Sequence, residues 1–211
     1  MAAVLLAASA GVFAQGADVG LVNLVSGEVT FAPLAGSPGK VQAFMRVRDG
    51  DRINVPSGAQ VRVVFFDGAR QESWSGPASF RAGKAASEPI SGKPAEVAKL
   101  PASVPQRIAR VPELMQNAKL GGIQVRGGAT RQQQSSLDQQ EALREARAAY
   151  DQMRKTMPAD DITPELYLYA ALHEYLVYDE MKTVVAEMLR KQPNNEDVKV
   201  LDSWVRSRTS Q

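Results

Sequence analysis

Between residues 20 and 81, apolar and polar positions alternate in short runs cut by glycine; after residue 136, apolar residues recur at every third and fourth position. The first period is that of strands and the second that of helices. Residues 20–31 make one or two strands, with Gly27 as a bulge or bend between them. Residues 33–39 read as loop and 41–47 as a further strand, and Arg48-Asp49-Gly50-Asp51 reads as a tight hairpin turn. A short strand at 53–55 and a turn at Pro56-Ser57-Gly58 lead into the clearest strand, residues 60–66. There Val61, Val63 and Phe65 fall on one face and Arg62, Val64 and Phe66 on the other. Asp67-Gly68 turns the chain again, and the segments through Trp74 and from Gly76 to Arg81 complete the set. Turn signals about every eight to twelve residues predict a small antiparallel roll or sandwich over residues 20–83.

The helical pattern predicts four helices over residues 136–207. Ser136 with Gln139 has the form of a capping box and opens a helix to about residue 157, with Leu143, Ala146, Tyr150, Met153 and Met157 as its seam. Thr163-Pro164-Glu165 starts the next, with Thr163 as cap and Pro164 at the first helical position. This second helix carries one stripe of Leu166, Tyr169, Ala170, His173 and Val177 and another of Leu168, Leu172 and Tyr175, so it is expected between neighbours. Met181, Val184, Val185, Met188 and Leu189 mark a third helix, and Val198, Leu201, Trp204 and Val205 a fourth beyond Pro193-Asn194-Asn195.

Between the two patterns, five prolines punctuate Ala, Ser and Lys with little periodicity. Residues 84–134 are therefore expected to be a semi-extended linker, with one extra strand near residues 121–126. The overall expectation is α+β in separate domains. Charge follows the same division: the linker holds 8 basic and 3 acidic residues, against a formal net charge of +2 for the chain. Its basic excess points either to a solvated tether or to anionic neighbours such as cell-wall polymer.

Residues 1–14 are uncharged, apolar and end in Val12-Phe13-Ala14, the pattern of an export signal cleaved after Ala14. Only Met1, Ala2 and Ala3 precede the apolar run, so the true start is expected upstream. No run is long enough to span a bilayer as a helix, and no integral membrane segment is expected in the mature chain. With 0 cysteines, disulfides and thiolate chemistry are excluded.

The succession Gly27-Glu28-Val29, residues 47–53, Ser57-Gly58-Ala59, residues 61–68 and Gly76-Pro77-Ala78-Ser79-Phe80 resembles the FecR domain. That resemblance implies a periplasmic β-domain, here of the exported, stand-alone kind. Residues 163–195 resemble a tetratricopeptide unit through Leu168, Tyr178-Asp179-Glu180 and Pro193-Asn194-Asn195, although Tyr169 and Met181 stand where that family places small residues. This second resemblance implies that Leu166, Ala170, His173 and Glu174 line a concave face that grips a peptide.

Catalytic signals are weak. Asp49 and Asp51 lack the continuing ligands of a calcium loop, Trp74 and Phe80 read as core rather than as a sugar platform, and the single histidine, His173, lies on an apolar stripe. Nucleophile elbows, phosphate loops and zinc signatures are missing from the sequence. No cofactor, metal or nucleic acid is expected. The leading expectation is a non-catalytic periplasmic adaptor for an envelope protein partner; the alternatives are a peptidoglycan-binding protein and a wall-acting hydrolase.

Overall fold

A computed structural model describes residues 16–120 and 137–209. Ten strands form two antiparallel sheets of five. Sheet one contains β1 (Asp18–Ser26), β4 (Arg46–Arg48), β6 (Gln60–Phe65), β7 (Arg70–Ser75) and β10 (Glu96–Lys99), in the order β10-β7-β6-β1-β4. Sheet two contains β2 (Thr30–Ala32), β3 (Gly39–Lys40), β5 (Arg52–Val55), β8 (Ala78–Ala82) and β9 (Ser87–Ser91), in the order β3-β2-β5-β8-β9.

The alternation in β6 explains the layering. Val61, Val63 and Phe65 join Val22, Ile53, Trp74 and Phe80 in the core between the sheets. Trp74 stacks on Phe80 there, with ring centroids 4.6 Å apart. Val64 points the other way, with Leu21, into a second core shared with the helices. Sheet one is therefore the middle of three layers, which is why its central strand is apolar on both faces.

The helices are α1 (Val104–Ile108), α2 (Val111–Lys119), α3 (Leu137–Thr156), α4 (Thr163–Glu174), α5 (Tyr178–Lys191) and α6 (Glu196–Thr209). Every residue of α4 from Thr163 to Leu172 is buried, because α1, α2, α3 and α5 surround it. The expected two-sided helix is thus enclosed on all sides.

Several local expectations are corrected. Residues 84–119 are not a semi-extended tether: they hold β9, β10, α1 and α2. Pro105 and Pro112 stand in the first turns of α1 and α2, where a missing N–H costs nothing, and Val104, Ile108, Val111 and Met115 form the buried face behind them. Pro89 lies in β9, an edge strand, where its missing donor is tolerated. The sandwich and the helices are consequently not separated but share a core. The strand expected at 41–47 shrinks to Arg46–Arg48, because Phe44 takes φ 58 and the chain bends there. Asp49-Gly50 makes no hairpin; it carries the chain from β4 in sheet one to β5 in sheet two, with Gly50 at φ 87 and the Asp51 carboxylate accepting the Arg48 N–H at 2.9 Å. The leader, the capping box at Ser136 and the strand at 121–126 lie outside the described residues.

Candidate functional site

The joint between sheet one and the helices is polar at its centre. Asn23 on β1 and Gln71 on β7 project from the sheet, and Thr163 opens α4 against them. Asn23 Nδ2 donates to Gln71 Oε1 at 2.9 Å and to Thr163 Oγ1, and the Thr163 hydroxyl donates to Gln71 Oε1. Gln71 Nε2 donates to Asp161, whose other carboxylate oxygen accepts the Thr163 N–H at 2.8 Å. Thr163 therefore does not cap its helix; Ile162 occupies the cap position without a side-chain bond, and the hydroxyl faces the sheet. Arg62 from β6 completes the joint, 3.6 Å from Asp161 and 3.5 Å from Asp160.

Two residues further along α4, Glu165 is buried against Lys191 Nζ at 2.8 Å, Arg154 Nε at 3.6 Å and the Tyr150 hydroxyl at 3.2 Å. Burial first, and then the Glu165 charge, push the Tyr150 phenol up to about 12. The cluster ties α3, α4 and α5 together, and none of its members lines a described cleft.

The four residues assigned to a peptide-gripping face are dispersed. Leu166 and Ala170 are buried, with 0% and 6% exposure. His173 stacks on Trp204 with centroids 5.3 Å apart and faces Tyr169 at 6.4 Å. Burial and then Arg208, whose guanidinium lies over Trp204, hold its imidazole below the ordinary histidine value. Glu174 is ion-paired to Arg107 at 3.8 Å and Arg110 at 3.5 Å. Arg107 also lies over the Tyr167 ring. Glu174 is thus held by α1 and the α1–α2 junction, within the segment expected to be a tether, whereas His173 is covered by Trp204 of α6.

The open surface lies elsewhere. A cleft of about 410 Å³ separates the end of β1 from the α5–α6 turn, with Leu24, Val25 and Ala43 on one wall and Gln192, Asn194 and Glu196 on the other. In the sequence this wall shows only as Pro193-Asn194-Asn195, a helix stop and the end of the tetratricopeptide-like span. Among the described residues no group of three or more His, Cys, Asp or Glu side chains could hold a metal ion, and no helix is long and apolar enough to cross a membrane.

Comparisons with protein-family models, curated proteins and solved structures give no match to this chain.

Proposed function

We propose that the chain is an exported, non-catalytic adaptor of the bacterial periplasm that holds protein partners in an envelope assembly or signalling system. The observation that carries this reading is the joint of Asn23, Gln71, Thr163, Asp161 and Arg62, which fixes the sandwich and the helices in one orientation. Partners bound to the two halves would be held at a set distance and angle rather than on a variable tether. The FecR-like order of turns in residues 20–83 supports the envelope setting. Helices α4 and α5, within residues 163–195, resemble a degenerate tetratricopeptide unit in which Leu166 and Ala170 of the expected gripping face are buried. The cell-wall alternative drew on basic charge in residues 84–134, of which Arg107, Arg110 and Lys119 are engaged with Glu174 and Asp197.

Because Leu21 and Val64 share a core with the helices, the test uses the full chain. A photo-crosslinking residue placed at Ile90, Leu176 or Asn194 in cells is expected to give discrete protein adducts from both halves. Adducts to wall polymer alone would replace the adaptor with a wall-binding protein.

A further inference from the structure

β1 is nine residues long, but its neighbour β4 is three. β4 pairs with Asp18, Gly20 and Leu21, and one more exchange follows at Val22, which donates to the Met45 carbonyl at 2.9 Å and accepts from the Phe44 N–H at 2.7 Å. At Phe44 the chain leaves the sheet. Leu24, Val25 and Ser26 continue as strand and, among the described residues, are paired on one side only, to Arg62, Val61 and Gln60 of β6. Such a stretch directs alternate main-chain N–H and C=O groups outward, which is a template for another strand. The outer edges of β9 and β10 are less suited, since Pro89, Glu96 and Lys99 are features that keep an edge solitary.

The open edge of β1 forms one wall of the 410 Å³ cleft. On the opposite wall Gln192 Oε1 accepts from Asn195 Nδ2 at 2.8 Å, while Gln192 Nε2 is buried without a partner among the described residues. Gln192 lines the cleft, so rotation of its side chain would turn this donor toward a carbonyl brought in there. The carboxylates on the rim already have cations: Glu196 pairs with Lys199 at 2.7 Å and Asp197 with Lys119 at 2.8 Å. The site therefore selects for main-chain hydrogen bonding and small or apolar side chains over Leu24 and Val25, not for charge.

We infer that the edge of β1 at Leu24–Ser26, facing Gln192, binds a short, uncharged, extended segment of a partner polypeptide as an added strand. This inference deepens the adaptor reading and rests on it.

The test pans the full chain against a displayed library of random linear heptapeptides and follows a selected peptide by amide hydrogen exchange. The peptide is expected to slow exchange within Leu24–Ser26. N-methylation at alternate backbone positions of the peptide should abolish binding, and Gln192→Leu should weaken it about tenfold. The proposal is overturned if no peptide is selected, if protection falls on other strands, or if N-methylation leaves affinity unchanged. Protection that grows with protein concentration alone would assign the edge to a second copy, and preferential protection by soluble peptidoglycan fragments would assign it to wall polymer; either result overturns it. Persisting crosslinked protein adducts without peptide binding would reject this site and keep the adaptor, whereas peptide binding without any adducts in cells would reject the adaptor and keep the site.

Discussion

Arg62 and Asp161 face each other at 3.6 Å with side chains only 4% and 0% exposed, although they come from the central strand of sheet one and from the turn before α4. The separation is that of an ion pair without a hydrogen bond, and the Arg62 Nη1 involved has no hydrogen-bond partner among the described residues. Nε of the same guanidinium donates to Ser73 Oγ at 3.1 Å. Asp161 is thus a buried carboxylate whose nearest cation belongs to the other half of the molecule.

Arg62→Met removes that cation and leaves the carboxylate buried. A loss of about 3–5 kcal/mol is expected, the usual result of breaking one side of a buried pair. Urea unfolding monitored by both tryptophan fluorescence and circular dichroism would measure it. The double variant Arg62→Met with Asp161→Asn should recover part of the loss. A cost within experimental error for the single variant would show that the joint is held by packing alone.

Thr163→Val tests the hydroxyl in the same joint. The side chain keeps its shape, but Asn23 Nδ2 loses an acceptor and Gln71 Oε1 loses a donor in a site without water access. The expected cost is roughly 1–3 kcal/mol. If Thr163 were instead the helix cap, Thr163→Asn would be neutral; the joint predicts that it is as harmful as Thr163→Val, because the larger amide must fit between Asn23 and Gln71.

These residues show what the sequence makes legible. The alternation of residues 60–66 gave the strand, both of its faces and the burial of Trp74 and Phe80, because period and turn chemistry are local properties. The same periodicity gave helices whose observed starts and ends lie close to those expected. What was not legible is the layering. An apolar residue on the second face of β6 says that something covers it, without saying that the cover is α4. Asn23 and Arg62 interrupt apolar strands as isolated polar residues, Gln71 is one of several polar residues in β7, and the partners that Asn23 and Gln71 find at the start of α4 lie 90 to 140 positions away. The covered face of α4 was missed for a different reason: two prolines that begin α1 and α2 were read as punctuation. The cleft wall at Gln192 has no signal beyond the helix stop and tetratricopeptide-like ending at Pro193-Asn194-Asn195.

His173 is the chain's single histidine, so its titration can be followed without assignment ambiguity. Its folded value lies below the unfolded one, near 6.5, because burial and Arg208 disfavour the cation. The unfolded chain then binds the proton more readily, and stability rises with pH across this window. The stabilising contribution is complete above about pH 6.5 and is lost as pH falls toward the folded value. The expected observation is a midpoint of thermal unfolding that drops between about pH 7 and 5, with a shallower drop in His173→Gln. Arg208→Gln should move the imidazole titration, read by NMR, upward.

Gly76 tests the passage between the two sheets. It joins β7 in sheet one to β8 in sheet two, and its N–H donates to the Ala59 carbonyl at 2.9 Å. A Cβ there would lie 1.7 Å from the Pro56 carbonyl oxygen and 2.6 Å from that of Val55. Both neighbours are main-chain atoms at the end of β5, so they cannot rotate away as a side chain would. Gly76→Ala must push the β5–β6 turn from the β7–β8 connection, at a cost of roughly 3 kcal/mol or more. Gly58 is the contrast. It has φ 76 but nothing within 4 Å of its would-be Cβ, so Gly58→Ala meets only backbone strain of about 1–2 kcal/mol, and Gly58→Asn less. Denaturant midpoints of the three variants should therefore fall in the order Gly58→Asn, Gly58→Ala, Gly76→Ala, from most to least stable. A Gly76→Ala protein as stable as Gly58→Ala would mean that the two sheets are not clamped together at Pro56.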